Sequence, residues 1–320
     1  MTEDAFVRKV EETIAEGRLL AEGDRFLAAV SGGPDSTALL HLLCALRPKY
    51  RWSLAAVHVN HGLRPREAAE EERYVKELCG ALDVPCFTAA VDVRSSLPVH
   101  GNNVQSAARS LRFQAFRDLS ARWGSSIIAL GHHGDDQAET VLMRILRGTG
   151  PGGLAGMRLS NELDGLKLIR PLLRISKREL EAYCARHSLS PRFDSSNASR
   201  SYFRNVVRLD ILPYLMKFRP EAADSLRRVA ELAADEDDFL DSLAREKLGG
   251  AAFSGGSVRC ERAIICKEHP ALQRRMIKII LNSLKLNESA VEFAKIETIR
   301  RAVAAERPTT LEIRISSGYV

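Results

Sequence analysis

The residues best suited to chemistry stand in two polar clusters that directly follow apolar runs. The first, Ser31-Gly32-Gly33-Pro34-Asp35-Ser36, comes after RFLAAV, and the second, His132-His133-Gly134-Asp135-Asp136 with Glu139, comes after SSIIALG. Glycines let a backbone approach a ligand closely, and the free amides at the start of a helix attract phosphate. Asp136 and Glu139 are three residues apart and share one helix face. Acids also cap helix starts, but the adjacent histidines and Asp135 favour a functional cluster.

Three further groups are candidates for binding. His58 and Asn60 end the next strand-like run, where histidine is as often simply packed. Arg109 and Arg112 share a helix face and could hold phosphates or a carboxylate, or could be surface charges. The last group follows a Ser-rich stretch and would be unusual in a plain helix; it consists of Asp194, Asn197, Arg204, Asn205 and Arg208.

Other motifs are weaker or absent. No GxxxxGK[ST] phosphate loop occurs, and the one GxGxxG, at Gly148, Gly150 and Gly153, follows a helix where a dinucleotide site requires a strand. That stretch and residues 193–205 are predicted to be mobile loops. The six cysteines form no CxxC pair, which favours reduced structural thiols.

The composition is that of an ordinary globular protein. The chain has 320 residues, 45% hydrophobic and 28% charged, with a net charge of +6. These values exclude a collagen-like or mostly disordered protein and permit, without proving, an RNA partner. No apolar run is long enough for a bilayer, and charges interrupt the N-terminus where a signal peptide needs an apolar core. We therefore expect a cytoplasmic protein with no membrane partner.

The order of the elements predicts how these clusters meet. Apolar runs alternate with helical patterns up to about Gly148, which indicates an α/β fold with a doubly wound parallel sheet, helices on both faces and right-handed crossovers. Ligands of such sheets bind at the carboxyl ends of the strands where the strand order reverses. We expect the SSIIALG strand beside the first strand, and an N-terminal helix packed through Phe6, Val10 and Ile14.

The chain beyond residue 216 is mostly helical. We predict helices over 222–247, 270–284 and 288–305 and a terminal strand in TTLEIRI, so that domain 1–216 is followed by a smaller, mainly helical domain 217–320. The acidic run 235–241 is predicted to be a solvated helix face. Arg274, Arg275 and Lys278 could grip RNA phosphates or belong to an ordinary wet helix face.

These motifs resemble the PP-loop ATP pyrophosphatase superfamily, which has an adenine nucleotide alpha hydrolase-like fold and uses SGGxDS to bind ATP phosphates. Within it, five more motifs occur in the order typical of tRNA(Ile)-lysidine synthetases. They are HVNHGLR at 58–64, GHHGDDQAET at 131–140, LRGTGPGGLAGM at 146–157, RPLL at 170–173, and DSSN with RNVVR at 194–208. The resemblance covers about residues 25–215 and is looser at 269–284.

The resemblance implies a two-step reaction. ATP, with Mg²⁺, adenylates the C2 oxygen of the wobble cytidine in the CAU anticodon of tRNA(Ile), and the ε-amino group of free lysine then displaces AMP to give lysidine. It implies ATP contacts at Ser31, Gly32, Gly33, Pro34, Asp35, Ser36, His58 and His132, and catalytic roles for Asp35, Asp136 and Glu139. It implies substrate contacts at Arg109, Arg112, Asp136, Glu139, Asn197, Arg204, Asn205 and Arg208.

Some points stay open at this stage. Asp136 and Glu139 would bind lysine or deprotonate its amine, whose pKa is normally about 10.4, and the sequence does not say which carboxylate does which. Asp35 is a candidate contact to Mg²⁺ or nucleotide, and no protein metal site is predicted. Gln105 and Ser106 stand where the family usually has an acid. The oligomeric state is open, a homodimer included.

Two other functions compete. Another PP-loop enzyme, such as a tRNA thiolase, would need cysteines near the active loops. A non-catalytic nucleotide-binding protein of the same fold would not need the carboxylates at 135, 136 and 139.

Overall fold

The chain divides into two compact units. A computed structural model describes residues 3–62, 65–97, 103–192, 200, 202–254, 257–284 and 293–305. The units are Met1–Glu231 and Leu232–Val320. The division lies inside helix Ala222–Lys247, later than the division that we predicted after residue 216. The helical pattern runs through Glu231 without a break, so the sequence carries no signal there.

The first unit contains six strands and most of the helices. The strands are β1 (Arg25–Ala29), β2 (Ser53–Asn60), β3 (Cys86–Ala90), β4 (Ile127–Ala129), β5 (Ser160–Leu163) and β6 (Leu166–Ile169). The helices are α1 (Glu3–Glu16), α2 (Pro34–Tyr50), α3 (Pro65–Ala81), α4 (Val93–Ser96), α5 (Val104–Trp123), α6 (Gly134–Arg147), α7 (Pro151–Leu154), α8 (Lys177–Arg186), α9 (Phe203–Val206) and α10 (Leu212–Phe218). A π turn, Val207–Ile211, joins α9 to α10, and α11 (Ala222–Lys247) crosses into the second unit. None of the helices within the described residues is both long and apolar enough to cross a membrane.

The sheet has the order β3-β2-β1-β4-β6-β5. All neighbours pair in parallel except β5 and β6, which form an antiparallel hairpin at one edge. The predicted parallel, doubly wound sheet is confirmed, and so is the pairing of β4 with β1. The edge strand β5 was not predicted, because its sequence, SNEL, lacks the apolar alternation that marks a strand.

Two apolar layers cover the sheet. On one face α1, α2 and α8 bury a large cluster that includes Leu39, Leu43 and Tyr183, and the stripe Phe6, Val10 and Ile14 of α1 joins it as predicted. On the other face α5 buries a smaller cluster that includes Phe113, Phe116 and Leu119. Full burial of such side chains stabilises the fold by about 1.5–3 kcal/mol each. The carboxyl ends of β1 and β4 are thereby fixed between α2 and α5.

The glycine-rich segment 148–157 is fixed to α6, in contrast to the mobile loop that we predicted. The Gln137 amide donates to the carbonyls of Ala155 and Met157 at 3.2 and 3.0 Å and accepts from the Met157 amide at 2.7 Å. The Arg144 guanidinium donates to the carbonyls of Gly153 and Gly156, each at 2.8 Å. The pattern of apolar residues did not predict that this segment is ordered, because two polar side chains of α6 hold it.

The second unit is built around α13. Beyond the shared helix α11 it contains a 3₁₀ turn (Leu248–Gly250), β7 (Ala252–Ser254), β8 (Ser257–Arg259), α12 (Arg262–Cys266), α13 (Pro270–Ser283) and α14 (Phe293–Ala304). Met276 lies in its core, fully buried. The β7–β8 hairpin was not predicted. The predicted strand TTLEIRI and residues 288–292 of the predicted last helix lie outside the described residues.

Charged residues of this unit partly follow the sequence prediction. Most of the acidic run 235–241 is exposed as predicted, but Asp237 pairs with Arg275, and these two side chains are only 13% and 10% exposed. Arg274 donates to Glu297 at 2.8 Å. Arg274 and Arg275 are therefore engaged in ion pairs within the unit, which disfavours them as phosphate contacts.

Candidate active site at the carboxyl ends of β1 and β4

A serine-glycine loop links β1 to α2. The Ser36 hydroxyl accepts from the Ser31 amide and donates to the Gly33 carbonyl, both at 3.1 Å. The Arg192 amide donates to the Gly32 carbonyl at 2.9 Å, and Gly32 has a φ of +95°, which L side chains rarely adopt. Pro34 opens α2 without a side-chain cap. The first amides of α2 are thus available to an anion at a preformed loop.

The loop after β4 packs directly on this turn. A Cβ atom added at Gly131 would lie 3.1 Å from the amide nitrogen of Ser36 and 3.2 Å from the carbonyl carbon of Asp35. Those are backbone atoms, so only glycine fits without displacing the start of α2. The two polar clusters are therefore neighbours, as predicted, and their main chains are in close contact.

His133 joins the two clusters. Its Nδ1 accepts from the Asp135 amide at 3.2 Å, while Asp136 Oδ2 accepts from the His133 amide at 3.1 Å, which forms a reciprocal cap on α6. Its Nε2 lies 3.6 Å from Asp35 Oδ2 and 3.4 Å from Asp136 Oδ2. Burial alone would lower the pKa of His133, but the three surrounding carboxylates outweigh it and raise the pKa.

Asp136 and Glu139 are buried, with 8% and 1% exposure, and two arginines hold both of them. Arg208 donates from Nε to Glu139 Oε1 at 2.6 Å and from Nη2 to Asp136 Oδ1 at 2.8 Å. Arg204 donates from Nε to Glu139 Oε2 at 2.8 Å and from Nη2 to Asp136 Oδ1 at 3.0 Å. We call these four side chains the carboxylate clamp.

The clamp keeps Asp136 charged. Burial alone would raise the pKa of Asp136, but His133, Arg204 and Arg208 lower it below the ordinary value. Arg208 responds in the opposite direction, since Glu139 and Asp136 outweigh its burial and raise its pKa. The site therefore holds an ionised Asp136 in a place with little access to water, which is unusual outside paired or functional positions.

Helix α9 and the π turn that follows it carry the two arginines. Arg204 lies in α9 and Arg208 in the π turn, and both reach Asp136 and Glu139 on the facing helix α6. Isolated π turns inside helices are often found at functional sites. The sequence indicated the cluster of charges but not the π turn, because no residue pattern predicts such a turn.

A buried histidine, His58, and a half-buried one, His132, flank the phosphate loop. His58 Nδ1 donates to the Val30 carbonyl at 2.8 Å, and its Nε2 has no hydrogen-bond partner among the described residues. Burial lowers the pKa of His58, and burial lowers the pKa of His132 to about 4, although Asp136 acts in the opposite direction. Both imidazoles are therefore neutral at pH 7.

The remaining predicted residues lie at different places. Arg109 and Arg112 stack on Phe113 of α5, on the opposite face of the sheet from α2. Asn205 is buried in α9, and Asn197 lies outside the described residues. Sequence reasoning gave no role to Arg170, whose side chain is buried at the end of β6, although RPLL had been noted as a motif.

Comparisons with known proteins agree with this geometry. A family model described as a PP-loop domain matches residues 2–215, which are more than half of the chain. A tRNA(Ile)-lysidine synthase of Clostridium acetobutylicum is 39% identical over 242 residues, 75% of this chain and 52% of that protein. One from Geobacter sulfurreducens is 35% identical over 309 residues, 96% of this chain and 65% of that protein. The chain thus spans between half and two thirds of the length of these relatives.

One solved structure has a similar fold. A U34-tRNA thiolase from Methanococcus maripaludis, described with its [4Fe-4S] cluster, superposes with a TM-score of 0.61 over 72% of this chain and 79% of that chain. The two sequences are 22% identical, so this likeness concerns the fold alone.

Proposed function

The chain belongs to the PP-loop domain family, and on that premise we propose that it uses ATP to join free lysine to C2 of the wobble cytidine in the CAU anticodon of tRNA(Ile). The reaction passes through an adenylated cytidine and releases AMP and pyrophosphate. The similarity to tRNA(Ile)-lysidine synthases supports the substrate pair. The observation that carries the chemistry is the buried, arginine-paired couple Asp136 and Glu139 beside the phosphate loop.

The first step needs an activated phosphate and a stabilised leaving group. In this proposal the amides at the start of α2 and the hydroxyls of Ser31 and Ser36 bind the ATP phosphates, and the helix dipole stabilises the departing pyrophosphate. The loop is preorganised, because Ser36 already links Ser31 to Gly33. His58 and His132 contribute as neutral hydrogen-bonding groups.

Asp35 fits a role in binding Mg²⁺. Its Oδ1 is buried and has no hydrogen-bond partner among the described residues, while Oδ2 faces His133. Mg²⁺ in nucleotide sites usually takes one or two carboxylates together with phosphate oxygens and waters, so a single free carboxylate beside the loop suffices. When bound, the ion would offset negative charge on the phosphates.

The second step needs a neutral amine next to the adenylated base. The carboxylate oxygens of Asp136 and Glu139 accept charge-assisted hydrogen bonds from two guanidinium groups in this structure. The ε-ammonium of lysine offers the same charge and three donors. We infer that lysine replaces one arginine in the carboxylate clamp and passes its proton to a clamp carboxylate before attack.

An exposed apolar helix supports an RNA partner. Four side chains of α10, namely Tyr214, Leu215, Met216 and Phe218, are 38–75% exposed. Lys217 lies over the Tyr214 ring at 5.9 Å. Aromatic rings beside basic groups suit the stacking of unpaired bases. Because α10 follows the clamp arginines along the same helical segment, it would hold anticodon nucleotides near the reacting cytidine.

The cysteines do not favour the thiolase alternative. Cys184 contacts the phosphate loop, where its thiol donates to the Pro34 carbonyl. Burial, ahead of the nearby Asp35, raises the pKa of this thiol to about 11. A thiol held protonated is a poor nucleophile. Within the described residues, no group of three His, Cys, Asp or Glu side chains could hold a metal ion.

A lysine-transfer assay tests the proposal. The purified chain is incubated with ATP, Mg²⁺, labelled lysine and a tRNA(Ile) transcript that bears CAU, with a CAU methionine tRNA as the control RNA. We expect label in the isoleucine transcript alone, with one pyrophosphate released per lysine. Sedimentation of the same sample tests the homodimer.

Two other outcomes would reject the proposal in different ways. Pyrophosphate release on another RNA without lysine incorporation would retain an adenylating enzyme and reject lysine as the substrate. ATP binding without pyrophosphate release on any tRNA would favour the non-catalytic alternative.

A further inference from the structure

A group of basic side chains lies at the strand ends on the face of the sheet that α5 covers, opposite the face covered by α2. We call it the basic recess. It consists of His61, Arg109, Arg112, His132 and Arg170, which follow β2, β4 and β6 or project from α5. Arg170 is only 7% exposed.

Arg170 is partly used and partly open. Its Nη1 donates to the Arg158 carbonyl at 2.8 Å and to Asn161 Oδ1 at 2.7 Å, which ties β6 to β5. Its Nε is buried and has no hydrogen-bond partner among the described residues. Two neighbours are in the same condition, since His61 Nδ1 and His132 Nδ1 are also buried without a partner there. Buried polar atoms in proteins are nearly always paired, so these three atoms point to a missing ligand.

The charges in the recess are mutually repulsive. Burial and, to a smaller extent, the nearby Arg109 together lower the pKa of Arg170 to about 10. Burial and then Arg109 lower the pKa of Arg112, and Arg112 in turn adds to the effect of burial on His61. Asp136 lies close enough to His132 to raise its pKa against the larger effect of burial. Among the described residues, however, no carboxylate forms an ion pair with Arg109, Arg112 or Arg170. Buried cations without counter-charge are costly unless an anion joins them.

The geometry points to a phosphate-binding site in the basic recess, with Arg170 as its innermost contact. Three permanent cations call for a ligand with several negative charges. Pyrophosphate, or the terminal phosphates of ATP, would match them, whereas one carboxylate would leave most of the charge unpaired. An RNA backbone phosphate has the same chemistry and is the second possible source. Such a site would bind phosphate whether or not the chain transfers lysine.

Imidazole NMR on the intact chain tests the site. The ring resonances of His61 and His132 are followed from about pH 4 to about pH 8, with and without inorganic pyrophosphate. We expect pyrophosphate to raise the pKa of both rings, because a bound anion favours the charged form. A short CAU oligonucleotide and free lysine are titrated in parallel arms.

Two arginines of α5 provide matched variants. Arg109 is exposed at the rim, and its side chain makes no hydrogen bond within the described part of the chain. Arg109→Gln therefore tests the charge without breaking the β5–β6 tie. Arg122→Gln, at the far end of the same helix beside Phe87, is the control. We expect Arg109→Gln to weaken pyrophosphate binding by about tenfold, as for a lost charged contact, and Arg122→Gln to leave it unchanged.

The titrations and the two variants together show whether phosphate binds in the basic recess. Shifts of both rings with pyrophosphate identify the nucleotide phosphates as the source, and shifts with the oligonucleotide alone identify the RNA backbone. Constant ring pKa values with equal pyrophosphate affinity in both variants would place all binding at the α2 loop and overturn the inference. Shifts with lysine alone would also overturn it, in favour of a carboxylate.

Discussion

At the residue scale, the site is divided by charge. The α6 side carries Asp35, Asp135, Asp136 and Glu139 around His133, and the α5 side carries the arginines of the basic recess. The residue types alone predicted that most of these acidic side chains form one cluster. They did not predict that Arg204 and Arg208 neutralise it, since that contact joins residues 65 or more positions apart.

Asp136→Asn and Glu139→Gln are expected to abolish lysidine formation. Each change removes a charge that holds the lysine ammonium or accepts its proton. Each also leaves an arginine partly unpaired, so we expect a loss of about 1–3 kcal/mol in the free energy of unfolding. Lysine incorporation and urea unfolding measure the two effects, with Glu162→Gln on the exposed edge strand as the control. Normal incorporation with normal lysine affinity in both variants would reject the assignment.

His132 should make stability depend on pH. Its folded pKa of about 4 lies below the unfolded value of about 6.5, so the unfolded chain binds the extra proton and stability falls as pH decreases through that window. We expect a loss of about 2 kcal/mol in the free energy of unfolding between pH 7 and pH 5 from this group. Urea unfolding of the wild type and of His132→Gln at both pH values isolates the contribution of His132. Parallel pH profiles of the two proteins would show that His132 contributes nothing.

His133 acts in the opposite sense, because its pKa is raised in the folded protein. Its stabilisation is full below pH 6.5 and is lost as pH rises through the folded pKa.

At the element scale, close main-chain contact fixes the site. The β4–α6 loop rests on the start of α2 at Gly131, and α6 rests on residues 148–157 through Gln137. The alternation of strands and helices predicted the order of these elements and the place where they meet. It did not predict β5 or the ordered glycine segment, whose hydrogen bonds come from polar side chains that periodicity does not detect.

Gly131→Ala should weaken ATP binding more than it weakens the fold. The new methyl group would press on backbone atoms of Asp35 and Ser36, which shifts the first amides of α2. We expect a stability cost of about 1–3 kcal/mol and a several-fold weaker ATP affinity, measured by calorimetry. Gly80→Ala in α3 is the matched control, because open space surrounds Gly80 and alanine should stabilise that helix by about 0.5–1 kcal/mol. Equal ATP affinity in both variants would contradict the role given to Gly131.

At the scale of the whole molecule, each compact unit has its own apolar core. The first unit holds the candidate site, and the second is organised around Met276. Sequence patterning predicted two parts of unequal size, since strands cease after the sheet. The observed division falls inside α11, where helical periodicity is continuous.

ATP should protect the first unit selectively. A ligand at 100 times its Kd stabilises the part that binds it by about 2.7 kcal/mol. We expect slower hydrogen exchange in β1, β2 and β4 when ATP is added, and unchanged exchange in α13. Mass spectrometry of peptides from the intact chain resolves the two. Equal protection of α13 would show that the units open together.

The π turn at Val207–Ile211 also bears on how this sequence can change over generations. Such a turn holds one residue more than the regular helix around it. Loss of the codon for Leu209 would remove that extra residue and leave a regular helical turn, so α10 would keep its direction. A lineage could therefore gain or lose the turn by a single in-frame insertion or deletion, without altering the codons of the residues that hold Asp136 and Glu139.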